Sequence, residues 1–122
     1  MDKKLETMKN LKEFVAAIVK NGGATYNLAN GGTPTNGYMV SKKGFEIKFW
    51  DVPIEHAVIL FIQKYGFELN NPENFLGAWM DEGTLYLDIS NHYTDKDEAL
   101  KQGIVNQQRA IYDVINQESI YL

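Results

Sequence analysis

Apolar residues at Leu5, Met8, Leu11, Val15 and Ile18, joined by Phe14 and Val19, recur at helical spacing. Lys4, Lys9, Lys12, Glu13 and Lys20 fall mostly off that stripe. The pattern predicts an amphipathic helix over 3–20 that covers one face of a sheet. Asn21-Gly22-Gly23 ends it, because glycine takes the left-handed conformation that stops a helix. From 24 to 49 the period changes to two, and strands are expected at 24–28, 38–41 and 45–50. The glycine-rich stretch 30–37 separates the first two. Lys42-Lys43-Gly44 separates the others and reads as a short hairpin loop.

Asp51-Val52-Pro53 opens a second helix, with proline in the first turn and Asp51 as its cap. Ile54, Ala57, Val58, Phe61, Ile62 and Tyr65 form its stripe. Ile59 and Leu60 widen that stripe almost all round, so this helix is expected to be the most buried, with Gly66 at its end. The clearest hairpin follows at 77–90. Leu85, Leu87 and Ile89 point one way, Tyr86, Asp88 and Ser90 the other, and Asp81-Glu82-Gly83 forms the turn. Thr94 is placed to cap a third helix running to about Gln108, with acids at 95, 97 and 98 against its positive end. Residues 109–115 alternate again, 116–119 turn, and 120–122 pair back as a short last strand. The fold class is therefore α+β: one domain over 1–122, with an N-terminal helix over 1–21 and a mostly antiparallel sheet with two further helices over 22–122.

Composition narrows the chemistry. The absence of cysteine removes disulfides, thiolate metal sites and a cysteine nucleophile. The longest strongly apolar run, 57–62, falls far short of the roughly 20 residues of a membrane span, and no secretion signal opens the chain. A cytoplasmic protein without membrane contact is expected. The net charge of −4 hides a division: 1–50 carries eight lysines against four acids, and 51–122 four bases against twelve acids. A pI near 5.1 disfavours a broad nucleic-acid surface. The lysines at 3, 4, 9, 12, 20, 42, 43 and 48 still allow a local basic face for DNA or RNA, or a merely solvated one.

No nucleophile elbow, Walker loop or dinucleotide fingerprint is present, and the serines lack a paired base. Asp88, Asn91, His92, Tyr93 and Asp95 form the densest polar cluster. His92 there can act as a base, or with Asp88 and Asp95 in a ligand or metal site, yet the same residues serve equally to shape a turn. His56 lacks zinc-motif spacing. Arg109, the only arginine, either grips an anionic ligand or caps the third helix. No cofactor or metal is expected, and the chain reads as a binding protein rather than an enzyme. Trp50, Trp79, Tyr86, Tyr93, Tyr112 and Tyr121 lie on or near strands. Those that cluster on an outer face would form an aromatic anchor.

Three stretches carry a resemblance: Gly37-Tyr38-Met39-Val40-Ser41; Leu76-Gly77-Ala78-Trp79 leading through Gly83 to Tyr86-Leu87-Asp88-Ile89-Ser90; and Glu98-Ala99-Leu100 with Gly103, Asn106-Gln107 and Ala110-Ile111-Tyr112-Asp113-Val114. Together they resemble small proteins carried by phages, prophages and conjugative elements of Gram-positive bacteria, over most of 22–122. The first helix lies outside the matched region, and the motifs concern the fold, so no active-site residue carries over. The resemblance implies an accessory protein that counters host defence by binding a protein partner such as a restriction enzyme or the CRISPR nuclease Cas9. On that reading Asp81, Glu82, Asp88, Asp95, Asp97 and Glu98, with Tyr86 and Tyr93, face a basic nucleic-acid channel of the partner.

Overall fold

Helix α1 (Lys3–Asn21) stops where the sequence places its glycines: Gly22 takes φ 78 and donates its N–H to the Ile18 carbonyl at 2.8 Å. The computed structural model describes the backbone of residues 3–122 and the side chains of residues 10–122, so the predicted stripe members Leu5 and Met8 and the lysines at 3, 4 and 9 lie outside the described side chains. Farther along α1, Phe14 and Ile18 are buried.

The strands are β1 (Gly23–Tyr26), β2 (Tyr38–Ser41), β3 (Ile47–Phe49), β4 (Asn74–Asp81), β5 (Thr84–Tyr93), β6 (Ala110–Asp113) and β7 (Glu118–Tyr121), with α2 (Ile54–Leu69) and α3 (Lys96–Val105) between them. They form one curled sheet in the order β1-β4-β5-β2-β6-β7, every pairing antiparallel. The spine is β5, with β4 along one edge and β2 and β3 in succession along the other. The molecule is a single small α+β domain of three helices and a mostly antiparallel sheet.

Five local expectations need correction. Lys42-Lys43-Gly44 is no hairpin, because β2 and β3 run in the same direction along β5. Between Ser41, opposite Ser90, and Ile47, opposite Leu87, the chain advances six residues against three and bulges outward, with Gly44 at φ 95. The Lys42 N–H still reaches the Ile89 carbonyl, and the Phe45 ring lies edge-on to Tyr65 of α2 at 5.2 Å, which holds the bulge to the core. Asp51 is no helix cap: it takes φ 58 in the turn before α2, whose N-cap position is Pro53. Gly66 does not end α2, which kinks at Tyr65 (φ −115, ψ 24) and continues so that Leu69 is buried; the outer side keeps Leu60 exposed and Phe67 92% exposed. The α3 cap is Asp95 rather than Thr94, its carboxylate accepting the Glu98 N–H at 3.0 Å. That helix closes at Val105, since Gln107 turns to φ 56.

Residues opposite one another in an antiparallel pair point the same way. Leu85, Leu87 and Ile89 therefore share a face with Leu76 and Ala78 of β4, and with Val40 and Ile111 farther along the sheet. Helices α1 and α2 bury one end of that face through Phe14, Ile18, Ala57, Val58 and Phe61, and α3 buries the other through Ala99. Among the described residues no helix packs on the opposite face, and none is long and apolar enough to cross a membrane.

Candidate functional site on the open sheet face

The two-residue loop Glu82-Gly83, with φ 49 and 82, is the primed turn that matches the twist of a hairpin. It sets the register of everything on the face away from the helices. Counting back from it, Trp79 stands opposite Tyr86, Gly23 opposite Trp79 on the far side, and Lys48 opposite Tyr86, so four strands contribute one row. The Trp79 and Tyr86 rings stack at 4.4 Å with planes 15° apart, and the Lys48 Nζ sits 5.6 Å from the Tyr86 ring centroid. Such a stack, with a cation on it, adds about 1–2 kcal/mol beyond area burial and fixes the ring positions. Trp79 is nevertheless 45% exposed. Trp50, one residue past the end of β3, is 64% exposed.

The next row pairs Gly77 with Asp88. The Asp88 carboxylate lies across Gly77, where a β-carbon would collide with Asp88 Oδ1. Ser41 Oγ donates to Asp88 Oδ2 at 2.7 Å. Only 8% of Asp88 is exposed. Burial pushes its pKa up to about 6, against the lowering effect of the Ser41 hydrogen bond and with a smaller push from the Glu46 charge. At the far end of the face, the His92 Nε2 is 2.6 Å from the Asn36 carbonyl. A carbonyl only accepts, so Nε2 is the donor.

The sequence-predicted residues fall into separate places. Asp81 and Glu82 are exposed at the hairpin tip, beside the Trp79–Tyr86 stack. Asp95, Asp97 and Glu98 begin α3 beyond the other end of the ten-residue β5, about 30 Å away at strand rise. Asp95 is engaged in its cap, and Glu98 accepts from Gln102 Nε2 at 3.0 Å. Tyr93 lies on the helix-covered face against the α3 cluster. Its hydroxyl pKa is raised by burial, with Glu98 and Glu73 adding to the rise. These five acids thus lie at the two ends of β5 instead of on one surface, and Lys48 is interleaved with those near the tip.

Asp88, His92 and Asp95 do not converge: Asp88 and His92 are four residues apart on β5, about 13 Å at strand rise. His92 stands opposite Met39, and Met39 opposite Tyr112. Arg109 precedes Tyr112 by three residues, so it lies two strands away and about 10 Å farther along. A cleft of about 510 Å³ beside His92 includes Asn74 and Asn91. Their amides are consumed internally, Asn91 Nδ2 donating to Asn74 Oδ1 and the Glu73 carbonyl, and Asn74 Nδ2 to the Glu68 carbonyl. Among the described residues no three His, Asp or Glu side chains are grouped to hold a metal ion.

Sequence reasoning named Trp79 and Tyr86 separately but missed their pairing. The signal was present, since the two are equidistant from Glu82-Gly83. Ser41 and Gly77 as partners of Asp88 had no local signal. Comparison of the chain with family models, curated proteins and solved structures finds no match.

Proposed function

We propose that the chain is a non-enzymatic binding protein of a mobile genetic element, acting in the bacterial cytoplasm, which docks on a host defence nuclease such as Cas9 through the open sheet face around Trp79 and Tyr86. The observation that carries the reading is the stacked Trp79–Tyr86 pair with Lys48 on the face away from the helices, formed without any partner and with Trp79 45% exposed. Preorganised aromatic side chains of this kind dominate binding energy at protein interfaces, because little conformational freedom remains to be lost. Asp81 and Glu82 at the adjacent tip give the patch an acidic rim. That rim suits a basic protein surface, such as one that holds nucleic acid. The resemblance to proteins of phages and conjugative elements supplies the partner class. The dispersal of Asp88, His92, Asp95 and Arg109 gives an enzymatic reading no assembled set.

The test is cleavage of plasmid DNA by Cas9 and by restriction nucleases of Gram-positive bacteria, with the purified chain added at low salt. Inhibition by the wild type is expected. Trp79→Ala, with its circular dichroism unchanged, should weaken it by about thirtyfold, the size of a hot-spot truncation. Failure to bind or inhibit any of these nucleases overturns the proposal.

The same aromatic row with a lysine is also the arrangement on which single-stranded nucleic acid stacks. That second reading predicts quenching of tryptophan fluorescence by short oligonucleotides, with affinity falling steeply as salt rises. No quenching at low salt rules it out.

A further inference from the structure

Among the described residues β7 pairs with β6 and with no other strand, and no strand lies along its outer edge. β1 and β3 also have one partner each, but β1 is half-buried along its whole length with α1 against it and β3 is three residues with Lys48 at its centre, whereas Glu118, Ser119 and Tyr121 of β7 are exposed, Tyr121 by 79%. The Leu122 N–H donates to the Arg109 carbonyl at 2.9 Å, toward β6. Alternation then turns the backbone groups of Glu118 and Ile120 toward β6 as well, and leaves the N–H and C=O of Ser119 and Tyr121 pointing outward. Unpaired edges of this kind are templates for strand addition unless lysine, proline or a bulge blunts them. β7 contains none of these, and its one charged residue, Glu118, is at its first position with its backbone groups toward β6.

We propose that two copies of the chain join β7 to β7 in antiparallel register about Ile120, making one continuous sheet across a two-fold axis. In that register Ser119 stands opposite Tyr121 of the second copy and Tyr121 opposite its Ser119, so all four outward N–H groups and all four carbonyls find partners. Sliding the pair by two residues either way leaves half of them without a partner inside β7. Ile120 meets its own equivalent on the helix-covered side, next to Leu122, whose side chain reaches Gly103 of α3. The charges favour a second copy as the occupant. Glu118 stands opposite Leu122 of the second copy, and Arg109 lies in the same row one strand farther. Arg109 is exposed and takes no ion pair with a described residue of its own chain. Two-fold symmetry supplies this Glu118–Arg109 pairing twice, at the two ends of the joint.

Sedimentation equilibrium of the full chain from low to high micromolar concentration is expected to show a monomer–dimer equilibrium. Ser119→Pro removes an outward N–H without touching the β6 pairing, and should abolish the dimer while circular dichroism stays native. Glu118→Arg should weaken the dimer by about tenfold, through loss of two attractions and gain of two repulsions, and adding Arg109→Glu should restore it. This charge swap decides the matter even if the proline variant misfolds. A wild type that remains monomeric throughout, a folded Ser119→Pro that still dimerises, or a Glu118→Arg dimer as tight as wild type overturns the proposal.

Discussion

Asp88 is where one residue departs most from what its surroundings favour. A carboxylate in the middle of a strand, on the face away from the helices, would ordinarily be solvated. Here the flat backbone at Gly77 lets it lie down across β4, where burial raises its pKa from 3.8 to about 6. Because the folded pKa lies above the unfolded one, the folded state holds the proton more tightly between those two values. Stability from this group is therefore full below about pH 4, falls as pH rises toward 6 and levels off above it, a loss of about 3 kcal/mol. Asp113 has the opposite sign: hydrogen bonds from the Asn116 side chain and backbone lower its pKa, so its contribution is lost as the solution becomes acid. The difference between wild type and Asp88→Asn isolates the first effect. Urea denaturation from pH 4 to 8 should find the variant more stable above pH 6 by about 1–3 kcal/mol, the advantage vanishing toward pH 4. A constant difference across that range would show that Asp88 does not titrate as described.

At the scale of elements, local chemistry and long-range pairing divide the explanation. The α1 stop at Gly22, the 77–90 hairpin and the existence of α3 follow from spacing and turn residues that lie together in the chain. Where two neighbouring residues compete for one role, geometry decides, as at the α3 start, where the Asp95 carboxylate reaches the Glu98 N–H. Asp95→Ala should lower stability by about 1 kcal/mol, read from the denaturation midpoint at constant slope. An unchanged midpoint would mean that Thr94 or solvent replaces the cap.

The β2–β3 connection was misread for a reason of a different kind. Lys-Lys-Gly between two short strands is a sound hairpin signal by itself, but both strands are captured by the same edge of β5, a partner 36 to 55 residues away. No local pattern encodes that. The same holds for the site. Trp79 and Tyr86 were legible because one turn places both, whereas Ser41 meets Asp88 only through the pairing of β2 with β5.

For the whole molecule, the consequence of this topology is one-sidedness. Three helices bury one face of the sheet, and the other keeps an aromatic stack, a lysine and an acidic tip. The charge division along the chain does not become a division in space. Lys48 from the basic half sits on Tyr86, while Asp81 and Glu82 lie beyond one end of β5 and Asp95, Asp97 and Glu98 beyond the other. Recognition on this account rests on the Trp79–Tyr86 stack with a local acidic rim, and not on a molecular dipole. The most direct test is the affinity of the target nuclease for the Trp79→Ala/Tyr86→Ala double variant, measured beside Phe67→Ala, which truncates the most exposed aromatic side chain of α2 on the helix-covered side. The account predicts at least about a hundredfold loss for the double variant and none for Phe67→Ala. Equal affinity of the double variant and the wild type, or a loss confined to Phe67→Ala, would contradict it.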